Sequence, residues 1–371
     1  MNLRRLITLP ATRVRAVREA VEWSTGPARR MRYHDVLPQK GTAEVVAENA
    51  MWALRYGEVN DGYFLLGLDA VGAKASAFHR KKRNSRVIVS QISAREAWNL
   101  YHLLKDKYLF GLVAQALGYP SPRNLALLTS ASATLLSPRR RFEYSRLVED
   151  GYGLRGFCKP VAAQGGQGAF LLDVSGGEIR VDGKSTSPED LRTLIDTRYV
   201  VQEQIEQHQD MAALHPSSLN TLRLITVQEG EGTRLFSAFF RVGTRGSIAD
   251  NWSSGGLIVH IDRPSGRLVG PGLYKLGKAP ESSGVTVNAH PDTAIEFDGF
   301  EIPAFEEAVG LVERFHDDLG PLVQIAWDVA LTPDGPVVVE GNTHPDARGM
   351  MALDPTYLDR YRALVARTLP G

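Results

Sequence analysis

Two carboxylates and an amide near the carboxyl end of the chain have the residue types of a metal site. Asp328 lies in an apolar, β-branched run over 322–331, and Glu340 and Asn342 end a second run that is rich in valine. The intervening Thr-Pro-Asp-Gly at 332–335 is typical of a tight reversal. Because side chains two apart in a strand share a face, Glu340 and Asn342 would point the same way, and a hairpin would bring Asp328 beside them. Such oxygen ligands suit Mg²⁺, whereas the alternative is a pair of strand-end charges in water.

A lysine followed by a glycine-rich loop forms a second candidate site. Lys159 ends a predicted strand over 155–160, and the loop after it contains Gln164, Gly165, Gly166 and Gly168. Free backbone N–H groups in such a loop can close over phosphate oxygens, and a buried strand lysine needs an anion. The loop lacks the ending of a Walker A element, and an ordinary glycine hairpin would explain the same letters.

Two other segments carry polar residues whose role the local sequence leaves open. Lys107 lies early in a predicted helix, where a lysine gains nothing from the helix dipole, and a solvated surface lysine is the alternative. A predicted strand over 199–205 ends in Glu203, Gln204 and Ile205, whose backbone edge and apolar side chain suit an adenine ring. Asp210 beyond it could accept a hydrogen bond from a ribose hydroxyl, although a plain strand-to-loop transition explains the same residues.

The elements that would position these residues are helices and strands, with no visible internal repeat. Hydrophobic periodicity predicts helices over 42–68, 93–117, 304–319 and 355–368. Further strands are predicted over 125–128, 171–174, 221–228, 234–242 and 256–262. The first hundred residues contain no glycine-rich nucleotide turn, which argues against an opening Rossmann domain.

Composition limits the class of protein. The 371 residues carry 43 Lys and Arg against 42 Asp and Glu, which gives no overall electrostatic case for nucleic acid or an anionic membrane. Basic clusters at 1–35, expected to be helical, and at 79–86 are more typical of solvated helix faces than of binding sites. The single cysteine, Cys158, fits a reducing compartment and is expected to be a small buried hydrophobe. No run approaches the length of a membrane span, so we expect a cytoplasmic protein.

The order of the candidate residues resembles the ATP-grasp superfamily. A helix lysine comes first, then a strand lysine with a glycine-rich flap, a strand end that bears glutamate, and a hairpin with Asp and Glu-x-Asn. The resemblance runs from about residue 93 to 349, and the segments 215–226 and 251–256 are similar to the sugar-transfer-associated branch, which is related to glutamate-ligase-like enzymes. It implies an α+β fold in which two α+β subdomains clamp ATP between antiparallel sheets. The first ninety residues depart from this pattern and predict an atypical, mainly helical N-terminal region.

The resemblance also implies domains and a role for each residue. The regions would be a basic helical part over 1–92, a small subdomain with the flap over 93–205, and a large subdomain with the metal-binding strands over 206–371. The residues expected to hold ATP are Lys107, Lys159, Gln164, Gly165, Gly166, Gly168, Glu203, Gln204, Ile205 and Asp210, and the ligands expected for one or two Mg²⁺ ions are Asp328, Glu340 and Asn342. Arg223 would clamp the transferred phosphoryl group and Arg348 would meet a substrate carboxylate, although both could be surface arginines. The loop over 252–256 could close the site from the other side.

The function implied is an ATP-dependent ligase that joins a small-molecule carboxylate to an amine through an acyl phosphate. A kinase on the same scaffold, or a nucleotide-binding scaffold protein in glycan assembly, remain alternatives, and nucleic-acid binding ranks last. The aromatic stretch over 42–68 would either pack on the core or form the seam of a homodimer.

Overall fold

The computed structural model describes residues 11–26, 38–76, 94–149, 153–163, 166–229, 232–275, 277–280, 285–320, 322–343, 345 and 347–368. Within these ranges the helices are α1 (Ala11–Thr25), α2 (Thr42–Tyr56), α3 (Ala94–Lys105), α4 (Lys107–Ala116), α5 (Tyr144–Glu149), α6 (Pro188–Leu194), α7 (Gln209–Leu214), α8 (Phe305–Leu319), α9 (Arg348–Leu353) and α10 (Tyr357–Thr368). Gln164, Gly165 and the basic cluster at 79–86 lie outside the described residues.

The strands of the described ranges form two antiparallel sheets. They are β1 (Asn124–Thr129), β2 (Ser132–Leu136), β3 (Arg139–Phe142), β4 (Leu154–Pro160), β5 (Phe170–Ser175), β6 (Glu178–Val181), β7 (Lys184–Thr186), β8 (Tyr199–Gln202), β9 (Thr221–Glu229), β10 (Gly232–Val242), β11 (Leu257–Asp262), β12 (Arg267–Tyr274), β13 (Thr286–Val287), β14 (Gln324–Thr332) and β15 (Gly335–Asn342). The first sheet has the order β3-β2-β1-β8-β4-β5-β6-β7, and the second has the order β13-β12-β11-β10-β9-β14-β15. This α+β architecture of two antiparallel sheets confirms the predicted fold class.

The first sheet has a small core on one of its faces. Leu154 and Cys158 of β4 point into that core, whereas Phe157 and Lys159 alternate to the other face. Cys158 is fully buried, and burial raises the pKa of its thiol, which confirms the expectation of a small buried hydrophobe.

The second sheet carries the larger core. The apolar face of helix α8 packs on this sheet, and Phe315 stacks on Trp327 of β14 with ring centroids 5.0 Å apart. The predicted hairpin is confirmed, because β14 and β15 pair from Ala326 with Asn342 to Thr332 with Gly335. The opposite face of the sheet packs against α9 and α10 at one end only. Its other end is therefore left to face the first sheet.

Helices α3 and α4 connect the N-terminal region to the two sheets. The Asp106 carboxylate caps α4 by accepting hydrogen bonds from the backbone N–H groups of Tyr108 (3.0 Å) and Leu109 (3.1 Å). Leu104 of α3 and Phe110 of α4 are buried in the core of the second sheet, whereas the predicted subdomain over 93–205 contains both helices together with the first sheet. The two sheets lie on either side of residue 205, but the domain boundaries stay a prediction.

The N-terminal region is helical but less so than its pattern suggests. Helix α2 ends at Gly57, which adopts φ 71° at the C-cap, and turns replace the predicted helix over 61–69. Tyr63 and Phe64 are 1% exposed and pack within the chain, which favours core packing over a dimer seam. A homodimer stays a prediction. Among the described residues, no helix is long and apolar enough to cross a membrane.

Candidate functional site

A row of charged side chains crosses four adjacent strands of the second sheet. In the register of the sheet, Asp328 of β14 lies opposite Arg223 of β9 on one side and Glu340 of β15 on the other. Arg241 of β10 lies two residues beyond Phe239, the partner of Arg223, so it shares the same face. The row occurs at the end of this face that α9 and α10 leave uncovered.

The aspartate of the row is bound by two arginines. The nearest oxygen of Asp328 lies 2.5 Å from Nε of Arg223, and its other carboxylate oxygen lies 3.0 Å from a guanidinium nitrogen of Arg241. Arg241 also pairs with Asp250 at 3.1 Å, and Asp250 accepts a 3.1 Å hydrogen bond from the backbone of Thr221. Burial raises the pKa of Asp328 to about 6, although both arginines act in the opposite direction. The carboxylate is therefore held in a fixed network rather than left to solvent.

The glutamate of the row lies between two lysines. An oxygen of Glu340 is 3.4 Å from Nζ of Lys107, and the side-chain amide of Asn342 donates to the other at 3.1 Å. Burial opposes ionisation of Glu340, but Lys107 and Lys159 outweigh it and hold the pKa of this carboxyl well below its usual range. Glu340 is thus ionised wherever the protein is folded near neutral pH.

The two lysines come from separate elements that are tied together. The backbone N–H of Lys107 donates to the carbonyl of Val161 (2.9 Å), and its Nζ donates to the carbonyl of Ala163 (2.7 Å), just after β4. Lys159, on the cleft face of β4, is 7% exposed, and burial lowers its pKa to about 8 while Glu340 raises it. The structure therefore brings together the helix lysine, the strand lysine and the carboxylates of the hairpin.

Two cavities meet at this cluster. An inner cavity of about 200 Å³ lies between the sheets and is lined by Phe157, Lys159, Gly166, Thr221, Asp250 and Asp328, among others. An outer cavity of about 680 Å³ is lined by Tyr101, Lys105, Trp252, Lys275, Lys278 and Asn342, among others. The residues that line both are Lys107, Ala163, Gln167, Arg241, Asn251 and Glu340. The charged row is thus the wall that separates an inner from an outer chamber.

The glycine-rich loop reaches the inner cavity with its described part. Gly166 lines that cavity, adopts φ 73°, and lies so close to the loop between β10 and β11 that a Cβ would be 2.7 Å from the amide nitrogen of Asn251. Gly168 also has φ 73° but packs against Tyr199 and Pro160. The described part of the loop therefore contacts the first sheet and the loop after β10, beside the cavity that Lys159 also lines, where a flap over phosphates would lie.

The segment expected to hold adenine and ribose is not part of these two cavities. Strand β8 ends at Gln202, and neither Glu203, Gln204, Ile205 nor Asp210 is among the described residues that line either chamber. The Glu203 carboxylate instead accepts hydrogen bonds from the backbone N–H and the guanidinium of Arg123, at 2.9 and 2.5 Å. Asp210 is exposed in the first turn of α7. Their nucleotide roles stay predictions.

Arg348 lies away from the cluster. It is 4% exposed and forms an ion pair with Asp61, while its side chain packs beside Gly62. It lines neither chamber, although its neighbour Gly349 lines the outer one. The structure thus places this arginine where its ion pair links α9 to the N-terminal region, and its contact with a substrate carboxylate stays a prediction.

Sequence reasoning missed Arg241 and Asp250. Both complete the network around Asp328, but they lie on strands and loops whose order in the sheet the sequence does not reveal. The signal available was Arg241 within the apolar run over 235–242, because a buried arginine requires a carboxylate partner.

The residues of the row fit a hard cation such as Mg²⁺. Glu340 and Asn342 carry side-chain oxygen atoms and line the outer chamber, and Asp328 is buried opposite Glu340 in the sheet. In the described part of the chain, no three His, Cys, Asp or Glu side chains cluster as metal ligands, so the candidate set is two carboxylates and an amide. Asp328 would have to share its carboxylate with the two arginines.

Two antiparallel sheets converge on paired lysines and a carboxylate hairpin, which is the arrangement that the resemblance to the ATP-grasp superfamily implied. The profile of the sugar-transfer associated ATP-grasp family matches residues 89–364, so the chain belongs to that family and the predicted resemblance is confirmed. Enzymes of the ATP-grasp class use ATP and Mg²⁺. A search of curated protein sequences finds no significant match.

Several solved structures share parts of the fold at low similarity. They include D-alanyl-alanine synthetase A of Vibrio cholerae (12% identity, TM-score 0.41, covering 75% of this chain and 67% of that one) and the VanG D-Ala:D-Ser ligase of Enterococcus faecalis (12%, 0.42, 75% and 64%). An L-amino acid ligase of Bacillus licheniformis matches at 12% identity and a TM-score of 0.36, covering 72% of this chain and 49% of that one. The chain thus spans about half to two thirds of the length of these proteins.

Proposed function

We propose that this protein is an ATP-dependent ligase that joins a carboxylate to an amine through an acyl phosphate. The observation that carries the proposal is the convergence of Lys107, Lys159 and Glu340 where the two chambers meet. A transfer of a phosphoryl group between two bound molecules needs two adjoining compartments and cationic groups at their boundary, and the cluster supplies both.

The inner chamber is the compartment that suits the nucleotide phosphates. It is lined by the buried Lys159 and by Gly166 of the glycine-rich loop. A lysine whose pKa burial lowers to about 8 gains strongly from an anion beside it. Mg²⁺ held by Glu340, Asn342 and Asp328 would neutralise phosphate charge at the same boundary.

The arginines at the boundary are suited to a group that gains negative charge during transfer. Arg223 and Arg241 line the outer chamber and are held in place by Asp328, so they would need little rearrangement when a ligand enters. In the first step a carboxylate oxygen attacks the terminal phosphorus of ATP, and the bond to the β-phosphate oxygen breaks to release ADP. In the second step an amine attacks the acyl carbon, inorganic phosphate leaves, an amide forms and the amine loses a proton.

The proposal is tested by ADP release from Mg²⁺-ATP with a panel of carboxylic and amino acids, each with and without a pool of amines. ADP that requires both acid and amine, together with inorganic phosphate and an amide detected by mass spectrometry, is the expected result. ADP formed with one substrate and no amine, accompanied by a stable phosphorylated product, would show a kinase instead. Nucleotide binding with no turnover across the panel would favour a scaffold. Glu340→Gln serves as the inactive control for every positive substrate.

A further inference from the structure

Asn251 is one of the six residues that line both chambers, and it lies in the loop between β10 and β11. The charged side chains that share this boundary already have partners in the ligand-free protein. Lys107 and Glu340 pair with each other, and Arg241 is bound by Asp328. In contrast, no group of the described residues hydrogen-bonds to the side-chain amide of Asn251. This amide is therefore available to a ligand at the boundary.

The local structure around Asn251 does not use its side chain. Asn251 directly precedes a short 3₁₀ helix over Trp252–Ser254, in the position where an asparagine side chain usually caps the first turn. Its side chain makes no capping hydrogen bond, and its backbone carbonyl instead accepts from the N–H groups of Ser254 (2.9 Å) and Gly256 (3.1 Å). The usual structural reason for an asparagine at such a position therefore does not apply here.

The backbone of Asn251 is held in place by both of its neighbours. The carboxylate of Asp250, which is 5% exposed, accepts a hydrogen bond from the backbone N–H of Thr221 at 3.1 Å. The indole N–H of Trp252 donates to the carbonyl of Leu273 at 2.9 Å. These two contacts anchor the loop to β9 and β12, so the amide between them would need little rearrangement to meet a ligand.

The amide nitrogen of Asn251 lies beside the glycine-rich loop. A Cβ built on Gly166 would be 2.7 Å from this nitrogen, which is closer than a real Cβ contact allows. Gly166 lines the inner chamber, where the phosphates of the nucleotide are proposed to bind. A phosphoryl group that leaves this chamber for an acceptor in the outer one has to pass the boundary that Asn251 lines. An N–H donor fixed at that boundary is suited to the oxygen atoms of the group in transfer.

We propose that Asn251 is a further catalytic residue, whose side-chain N–H donates a hydrogen bond to a non-bridging oxygen of the phosphoryl group during its transfer. The bond between the terminal phosphorus and the β-phosphate oxygen breaks while the bond to the carboxylate oxygen forms, and Asn251 neither gains nor loses a proton. The amide meets only the terminal phosphoryl group, so it contributes little to the binding of ADP. This inference rests on the proposed function for the transfer step.

Binding of a mimic of the transferring group tests the proposal without an acid or an amine. Calorimetry would measure the affinity for Mg²⁺-ADP alone and with aluminium fluoride, which imitates the phosphoryl group in transfer. The native protein should bind ADP more tightly when aluminium fluoride is present. Asn251→Ala should reduce this gain by about tenfold or more, while its affinity for Mg²⁺-ADP alone stays within about twofold of the native value.

Two further variants separate the role of the amide from an effect on the fold. Asn251→Asp keeps the size of the side chain but replaces the N–H donor with an anionic oxygen, so it should reduce the gain from aluminium fluoride at least as strongly. Asn288→Ala, at an exposed asparagine outside both linings, is the matched control and should behave as the native protein. Urea titrations should give Asn251→Ala nearly the native free energy of unfolding, because the described chain makes no hydrogen bond to this amide.

Several results would overturn the proposal. They are an unchanged gain from aluminium fluoride in both Asn251 variants, an equal loss of affinity for ADP with and without aluminium fluoride, and a native protein that gains nothing from aluminium fluoride.

The outcome for the ligase is separate. A gain that the Asn251 variants lose, in a protein that releases a stable phosphorylated product and no amide, would keep the role of Asn251 and reject the ligase. Amide formation at the native rate by Asn251→Ala would keep the ligase and reject the role of Asn251. If both proposals hold, Asn251→Ala should lower kcat by about a hundredfold with little change in the KM for ATP.

Discussion

Glu340→Gln is the most informative substitution because its carboxylate has two opposing roles. In the ligand-free protein it is the counter-charge of Lys107, 3.4 Å away, and of Lys159. In the proposed complex it would bind Mg²⁺ while the lysines turn to phosphate. Glutamine keeps the shape and the hydrogen bond with Asn342 but removes the charge, so the two roles are lost together and their effects have opposite signs.

The size of the effect follows from the geometry. Two unit charges 3.4 Å apart attract by about 5 kcal/mol at an effective dielectric constant of about 20, a value suited to sites near a protein surface. Desolvation offsets part of this attraction, and the glutamate side chain is 24% exposed. We therefore expect the free energy of unfolding of the ligand-free variant to be about 2–4 kcal/mol lower than that of the native protein. ADP without metal should bind the variant about tenfold more tightly, because phosphates then supply the missing counter-charge.

The assay is ADP affinity by calorimetry with Mg²⁺ and with a chelator. The native protein should gain affinity when Mg²⁺ is added, whereas the variant should gain less than about twofold because it lacks the ligand charge. Glu178→Gln, at the exposed first position of β6, is the matched control and should behave as the native protein. Metal-free affinity that is unchanged, together with a full response to Mg²⁺ in the variant, would refute the reasoning for both roles.

Three other substitutions test particular contacts. Burial lowers the pKa of Lys159 to about 8, so the folded protein binds this proton less tightly than the unfolded chain. The free energy of unfolding should rise with pH between about 8 and 10.5, by about 3 kcal/mol, and Lys159→Met should abolish the rise in urea titrations and weaken ADP binding. Gly341→Ala would place a Cβ 3.0 Å from a leucine carbon and should lower the free energy of unfolding by about 1–3 kcal/mol. Gly232→Ala should leave it nearly unchanged, because the added Cβ would meet open space. Arg348→Met should lower the free energy of unfolding by about 2 kcal/mol through loss of the ion pair with Asp61, yet leave ADP affinity unchanged. A variant of unchanged stability with impaired turnover would indicate that Arg348 acts in catalysis instead.

The local parts of the site could be predicted from the sequence. The hairpin of β14 and β15 can be predicted because a Thr-Pro-Asp-Gly turn separates two apolar runs, and strand periodicity then places Glu340 and Asn342 on one face. Lys107 at the start of α4 and Lys159 at the end of β4 were likewise visible in local patterns. Each of these predictions uses only a few neighbouring residues within one helix, strand or hairpin.

The remaining parts depend on contacts between distant segments. Arg223 was expected at the site, but its partner Asp328 lies 105 positions away, and Arg241 joins them only because β10, β9 and β14 are neighbours in the sheet. Arg348 follows closely on β15 in sequence, but its side chain pairs with Asp61 of the N-terminal region, whose packing no local pattern reveals. Sequence proximity to a site is therefore a weaker guide than sheet register.

The carboxylates of the cluster offset most of its positive charge before any ligand binds. Asp328 and Asp250 neutralise Arg223 and Arg241, and Glu340 neutralises one of the two lysines Lys107 and Lys159. A nucleotide that arrives alone would add negative charge beside Glu340, and a cation that arrives alone would compete with the arginines and lysines for the same carboxylates. Each ligand removes the repulsion that opposes the other, so phosphate and Mg²⁺ should bind with positive coupling, and the coupling is reciprocal by linkage.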